Sequence, residues 1–355
     1  MVNLLSQPFL IAFLISFTTT PLVIYIFQKK GWTEKPDKKK HPKIIHTRPV
    51  PRSGGIPIYL AIFIATLIFL PLDNHLLAIL IAGLINLVIG IVDDLFDISP
   101  YFRLGTNTLS ALIIIAGGIG IAFITNPFGG ILHLDQPQLT FNLFGQVRNI
   151  WLISDIFTIV WIIWCMNIVS WSGGVDGQLP GFVTIAAITI GVLSLGFSQD
   201  ITQWPVIVLA GAVAGGYLGF LPFNIYPQKI MPGYSGKSLA GFFLAVLAIL
   251  SGAKVATAIL VLAVPMIDGI ITIIRRLAKK HSPFWGDAEH LHHLMLKAGI
   301  PKPKIAIYYW LFSALLGMIV LNLNSEQKFW TFAMLFLMVS GGIIIVRTMI
   351  NKKGK

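Results

Sequence analysis

The chain has 355 residues, 55% hydrophobic and only 11% charged, with a mean hydropathy of +0.81. One soluble core could not hide that much apolar surface, so the composition excludes an ordinary soluble enzyme and leaves the bilayer as solvent. The formal net charge of +12 sits in loops beside apolar stretches. Topology and anionic headgroups account for it, so nucleic-acid binding is not expected.

A spanning helix needs roughly 20 apolar residues. Such stretches run near Pro8 to Phe27, Gly54 to Leu72, Leu76 to Val92, Thr106 to Thr125, Ile150 to Val169 and Phe182 to Leu195. They continue at Pro205 to Leu221, Leu239 to Leu250, Val255 to Ile274, Ile305 to Leu321 and Phe329 to Val346. The eighth is short and runs through Ser251 to Lys254 into the ninth, so these two read as separate spans, one helical hairpin or a re-entrant element. The expectation is an all-α, polytopic bundle of about 10 or 11 spans, forming a single membrane domain over residues 1–355. Between Asn126 and Asn149 the alternating apolar residues and Gly129-Gly130 predict a short hairpin.

Positive residues in short loops stay on the cytoplasmic side. Of the 26 Lys and Arg, all but Arg148, Lys254 and Lys328 fall on one side if the first long loop is inside. That places the N-terminus outside, and loops 29–53, 93–105, 169–181, 222–238 and 275–304 in the cytoplasm. Most candidate chemistry lies in or bordering these loops. The single Cys165 lies in an apolar run and reads as a packed thiol.

The third span closes as Val-Asp93-Asp94-Leu-Phe-Asp97, three like charges at a helix end whose dipole disfavours anions. Beside the reading of a solvated acidic end stands a cation site. Mg²⁺ suits it, being hard and held by one or two carboxylates plus substrate phosphates. In the loop from Asn167, Gly173-Gly174-Val-Asp176-Gly177 could bring backbone amides to an anion or make a tight turn. The loop from Asn224 through Lys229 to Gly233-Tyr234-Ser235-Gly236-Lys237 suits a phosphate at a helix N-terminus, or a membrane anchor with snorkelling lysines. The last loop holds Arg275-Arg276 and Asp287-Ala-Glu-His290-Leu-His292-His293. Its histidines suit phosphate contact or proton transfer better than a transition metal, since neither Cys nor His-Glu-x-x-His accompanies them; a chance surface cluster is the alternative. Asp268 lies inside an apolar span about two turns before Arg275, a depth at which an ionisable group needs a partner.

Taken in order, these loops resemble the membrane polyprenyl-phosphate N-acetylhexosamine-1-phosphate transferases. That family includes phospho-N-acetylmuramoyl-pentapeptide transferase and the N-acetylglucosamine-1-phosphate transferases. The resemblance runs from His46-Thr-Arg-Pro49-Val-Pro51-Arg52 through Asp-Asp-x-x-Asp, Ser99-Pro100, Asn224-x-x-Pro227-x-Lys229 and Asp268 to the His motif, and His290-Leu-His292-His293 is similar to the N-acetylglucosamine type. It implies a glycosyltransferase that moves a sugar 1-phosphate from a UDP-N-acetylhexosamine to polyprenyl (undecaprenyl) phosphate, releasing UMP, with Mg²⁺, in cell-envelope glycopolymer synthesis at the plasma membrane. The implied catalytic residues are Asp93, Asp94, Asp97 and Asp176. Substrate contacts are implied for Asn167, Asn224, Lys229, Arg275, His290, His292 and His293, and metal ligation for Asp94 and Asp176. Polyprenyl phosphate, the UDP-sugar and membrane lipids are the implied partners, with a homodimer left open.

Three positions depart from the family pattern, the first being Ser170 where it has Asn. Gly173 and Tyr234 stand where it has Asp, and in relatives the Asp at 234 is a metal ligand. The alternative is therefore a catalytically impaired homologue that binds lipid phosphate or nucleotide sugar. An intramembrane prenyltransferase would want a second Asp-rich motif that this sequence lacks, and a transporter would line its midplane with the polar groups.

Overall fold

The computed structural model describes residues 2–34, 48–143, 146–252, 255–283, 285 and 287–353. His41, His46 and most of the first long loop lie outside the described residues, as do Lys254 and Phe284.

The chain folds into α1 (Asn3–Lys29), α2 (Gly55–Phe69), α3 (Asn74–Phe96), α4 (Pro100–Ala116), α5 (Leu152–Ser172), α6 (Gln178–Leu195), α7 (Trp204–Asn224) and α8 (Gly233–Leu250). These are followed by α9 (Val255–Val261), α10 (Ala263–Ala278), α11 (Leu291–Lys297), α12 (Lys302–Val320) and α13 (Ser325–Lys353). Between α4 and α5 lie two antiparallel hairpins, β1 (Phe123–Thr125) with β2 (Ile131–His133) and β3 (Gln138–Leu143) with β4 (Gln146–Trp151). The first turns at the expected Gly129-Gly130.

This is an all-α, multi-pass membrane protein. Among the described residues, eight helices are long and apolar enough to cross a membrane, or nine if the bent pair α9 and α10 counts as one span. The sequence reading of 10 or 11 also included α2, 15 residues long, and α4, 17 residues long. At 1.5 Å per residue both fall short of a hydrocarbon core of about 30 Å.

Three boundaries differ from the sequence reading in ways that matter for the site. α4 begins at Pro100 instead of Thr106, because Ser99 caps it, accepting from the Phe102 N–H at 3.2 Å, with Pro100 at the first helical position. α8 begins at Gly233 instead of Leu239, so Tyr234 and Lys237 are helical. The Leu239 span is thus a full 18-residue helix, and the break lies further on, where α9 and α10 meet at 85°. Pro265 lacks the N–H that would bond the Val261 carbonyl and continue the helix.

α8 is the axis of the bundle, packed on α3 and α5 with Leu239, Phe242, Phe243 and Leu247 buried. α7 packs on α1, where added Cβ atoms on Gly211, Gly215 and Gly219 would strike the α1 backbone, so the two helices approach closely. α13 is peripheral: only 6% of its apolar window is buried, leaving the rest to lipid.

Candidate active site

The carboxylates closing α3 meet two kinds of positive partner. Asp93 Oδ1 lies 2.6 Å from Arg103 Nε, and Asp97 Oδ1 lies 3.1 Å from Arg103 Nη2. Asp94 turns the other way. Its Oδ1 accepts from the Tyr234 N–H at 2.6 Å, and its Oδ2 accepts from the Ser235 N–H at 3.2 Å and the Ser235 hydroxyl at 2.7 Å. The unfavourable end of one helix is thereby matched to the favourable end of another. The α8 N-terminus that suited a substrate phosphate in the sequence is occupied by the chain's own carboxylate. Gly233 permits this with φ +66, and a Cβ there would collide with the Arg52 carbonyl and the Asp94 carboxylate.

Arg52 Nε lies 3.6 Å from Asp94 Oδ1, and its Nη1 donates to Glu34 at 3.4 Å. Burial works to lower the Arg52 pKa, but Asp94, Glu34, Asp93 and Asp97 outweigh it and hold the guanidinium more firmly protonated. Because Ser99 starts α4 early, Arg103 projects from its first turn. Its guanidinium lies 5.0 Å from the Tyr234 ring centroid. The tyrosine hydroxyl donates to Asn107 Oδ1 at 3.2 Å, tying α8 to α4.

The opposite wall carries the histidines. Asp268, buried on α10, finds its partner in His290, with Nδ1 2.9 Å from Oδ2, while Oδ1 accepts from the Leu291 N–H at 2.8 Å. A proton on Nδ1 facing that carboxylate leaves Nε2 as the working nitrogen. His290 and His292 stack with centroids 5.9 Å apart, and His292 and His293 lie at 4.2 Å. His292 can sit there only because residue 174 is glycine: a Cβ would collide with its Nε2. Arg275 and Arg276 both grip Asp287, at 2.6 and 3.0 Å. Partial burial pushes the Asp287 pKa up, but the hydrogen bonds and charges of Arg276 and Arg275 prevail and bring it down to about 2.

Between these walls lies a cavity of about 640 Å³, lined by acids Glu34, Asp93, Asp97 and Asp287 and by cations Arg52, Arg103, Lys237 and Arg276. Asn167, Tyr234, His290, His292 and His293 are also among its lining residues. Of the residues proposed from sequence, Asp93, Asp97, Asn167 and the three histidines therefore come together. Asp94 and Asp176 do not line it. Asp176 receives the Gln228 N–H at 3.4 Å and lies 3.6 Å from Lys302 Nζ. Asn224 is a brace, accepting from the Gly177 N–H at 3.0 Å and donating to the Ile230 carbonyl at 2.9 Å. Lys229 is exposed, and Arg275 is spent on Asp287 and the Glu289 carbonyl. Sequence reasoning pointed to the loop of Lys237 as a phosphate site but not to Arg52, Arg103 or Arg276 as site cations. The acidic run at the α3 end was the available signal, since three clustered carboxylates require positive neighbours.

The Mg²⁺ implied by the resemblance does not fit these donors. The two residues assigned to it are separated by function: both oxygens of Asp94 cap α8, and Asp176 is paired with Lys302. Asp93 and Asp97 share Arg103, whose guanidinium takes the place that a bound cation would hold between them.

Residues 76–252 of this polytopic bundle, which contribute Asp93, Asp97, Arg103 and Lys237 to the cavity, match the family described as Glycosyl transferase family 4. The chain is 25% identical to a probable undecaprenyl-phosphate N-acetylglucosaminyl 1-phosphate transferase of Bacillus subtilis, over 97% of this chain and 94% of that one. It is 29% identical to an undecaprenyl-phosphate alpha-N-acetylglucosaminyl 1-phosphate transferase of Haemophilus influenzae, over 92% and 90%. With a decaprenyl-phosphate N-acetylglucosaminephosphotransferase of Mycobacterium leprae it shares 28%, over 75% and 72%. The chain belongs to this family of glycosyl transferases.

Proposed function

We propose that the chain transfers N-acetylglucosamine 1-phosphate from UDP-N-acetylglucosamine to undecaprenyl or a similar polyprenyl phosphate. The reaction takes place at the cytoplasmic face of the plasma membrane, in cell-envelope glycopolymer synthesis, with the N-terminus outside and residues 1–355 acting as one membrane domain. The observation that carries this reading is the cavity in which Asp93, Arg103, Lys237, Arg276 and His290 converge.

In the reaction, an oxygen of the lipid phosphate attacks the β-phosphorus of the UDP-sugar. The bond from that phosphorus to the oxygen bridging to the α-phosphorus breaks, and UMP leaves with that oxygen. A phosphate monoester has a second pKa of about 6, so the nucleophile is largely ionised at neutral pH. Asp93 Oδ2, which has no hydrogen-bond partner among the described residues, accepts the remaining proton from the monoanion. Arg103, Lys237 and Arg276 offset charge on the pyrophosphate. His290, held by Asp268, presents Nε2 to the phosphate oxygens. No step in this reading runs through Mg²⁺.

The test is UMP release by purified protein in detergent from UDP-N-acetylglucosamine and undecaprenyl phosphate, with loss of turnover in Asp93→Asn. The second reading, a homologue that binds these substrates without turning them over, is favoured by Tyr234 and Gly173 in place of carboxylates. Intact lipid binding with no UMP release across several UDP-sugars would establish it.

A further inference from the structure

The acidic end of α3 already holds a cation, and that cation belongs to the protein. Arg103 spans the motif, with Nε 2.6 Å from Asp93 Oδ1 and Nη2 3.1 Å from Asp97 Oδ1. Nη2 also donates to the Ile98 carbonyl at 3.0 Å, and the Tyr234 ring supports the guanidinium from below. These contacts fix the group at the cavity wall and use Nε and Nη2; Nη1 takes no part in them. Lys237 lies one helical turn beyond Tyr234 and lines the same cavity. Its Cε would be 3.3 Å from a Cβ placed on Gly173, so its stem runs through the space that a side chain at 173 would enter.

We infer that Arg103, with Lys237 as a second fixed cation, supplies the positive charge at the substrate pyrophosphate in place of a divalent metal, so that anion binding here is independent of divalent ions. This rests on the reading that the cavity receives a phosphate-bearing substrate. A guanidinium offers planar, paired N–H donors that match phosphate oxygens. A divalent ion would have to enter beside the same one or two carboxylates that Arg103 already neutralises. Here Asp94 is committed to α8, while Asp93 and Asp97 are shared with a resident positive charge that would repel a second one. Tyr234 reinforces the arrangement, because a neutral ring serves a cation and offers a metal no anionic oxygen.

The experiment titrates inorganic pyrophosphate, and separately UDP-N-acetylglucosamine, into the purified full chain by calorimetry, in EDTA and in Mg²⁺. Both probes are expected to bind with the same affinity in the two buffers. Arg103→Gln is expected to weaken binding in EDTA by about tenfold or more, and Mg²⁺ to restore part of the loss, since Asp93 and Asp97 are then released. Arg103→Lys, which keeps the charge while losing the fork and the stacking, should fall between the two and covers failure of the glutamine variant to fold. Wild-type binding that disappears in EDTA and returns with Mg²⁺ overturns the inference. So does Arg103→Gln binding in EDTA as tightly as wild type, or no binding of either probe in either buffer. Metal-independent binding without UMP release would remove the proposed transferase activity and leave this inference standing.

Discussion

Asp93 and Asp94 are neighbours in the chain that serve different structures: Asp93 Oδ1 lies 2.6 Å from Arg103 Nε at the cavity, whereas Asp94 Oδ1 accepts from the Tyr234 N–H at 2.6 Å in the bundle interior. Their substitutions should therefore fail in different ways. Asp94→Ala removes the α8 cap and one of the two carboxylates paired with Arg52, which should cost about 2 to 4 kcal/mol of stability, read as a lowered unfolding midpoint in detergent. Asp93→Asn should leave that midpoint close to wild type and lower UMP release by about a hundredfold or more. Equal loss of stability in both would refute the division.

Asp268 acts on the cavity through His290. Asp268→Asn keeps the size of the side chain but no longer favours a proton on Nδ1, so turnover should fall by about two orders of magnitude or more. Histidine ¹⁵N shifts should show the exchange of tautomers in this variant, whereas a purely structural role for Asp268 would leave them unchanged.

The loop before α11 should open with acid. The Asp287 pKa is brought from an ordinary value of 3.8 down to about 2, so its contribution is fully present above about 3.9 and is lost as pH falls toward 2. Trp285, stacked on His281 at 5.0 Å, reports on this segment by fluorescence. The transition is expected between about pH 4 and 2 and should be missing in Asp287→Asn, whose loop is already released.

Gly174→Ala places a methyl group where the His292 ring lies. The ring must move, so turnover should drop by about tenfold or more while the bundle unfolds at an unchanged temperature. Wild-type activity in this variant would show that His292 need not hold its position.

The span pattern, the hairpin at Gly129-Gly130 and the clustering of polar residues at one end were legible in the sequence, because hydropathy and turn chemistry act locally. The division of labour between Asp93 and Asp94 was not. Adjacent residues on a helix differ by about 100° in direction, and which one faces a cavity depends on helices far away in the chain. Arg103 and Lys237 were read as loop cations because their flanking residues looked loop-like. Recognising Ser99-Pro100 as a helix start would have put Arg103 on α4. The partner of Asp268 lay 22 residues along the chain, across a loop whose path no periodicity describes.

Because both oxygens of Asp94 are fastened to the first residues of α8, that carboxylate sets the rotational phase of the whole helix. Tyr234 and Lys237 face the cavity only while their distance from Gly233 is kept, and one residue inserted after Gly233 would swing both by about 100°. The segment is thus constrained in length as strictly as in composition. A deletion or insertion there should be more damaging than any single replacement.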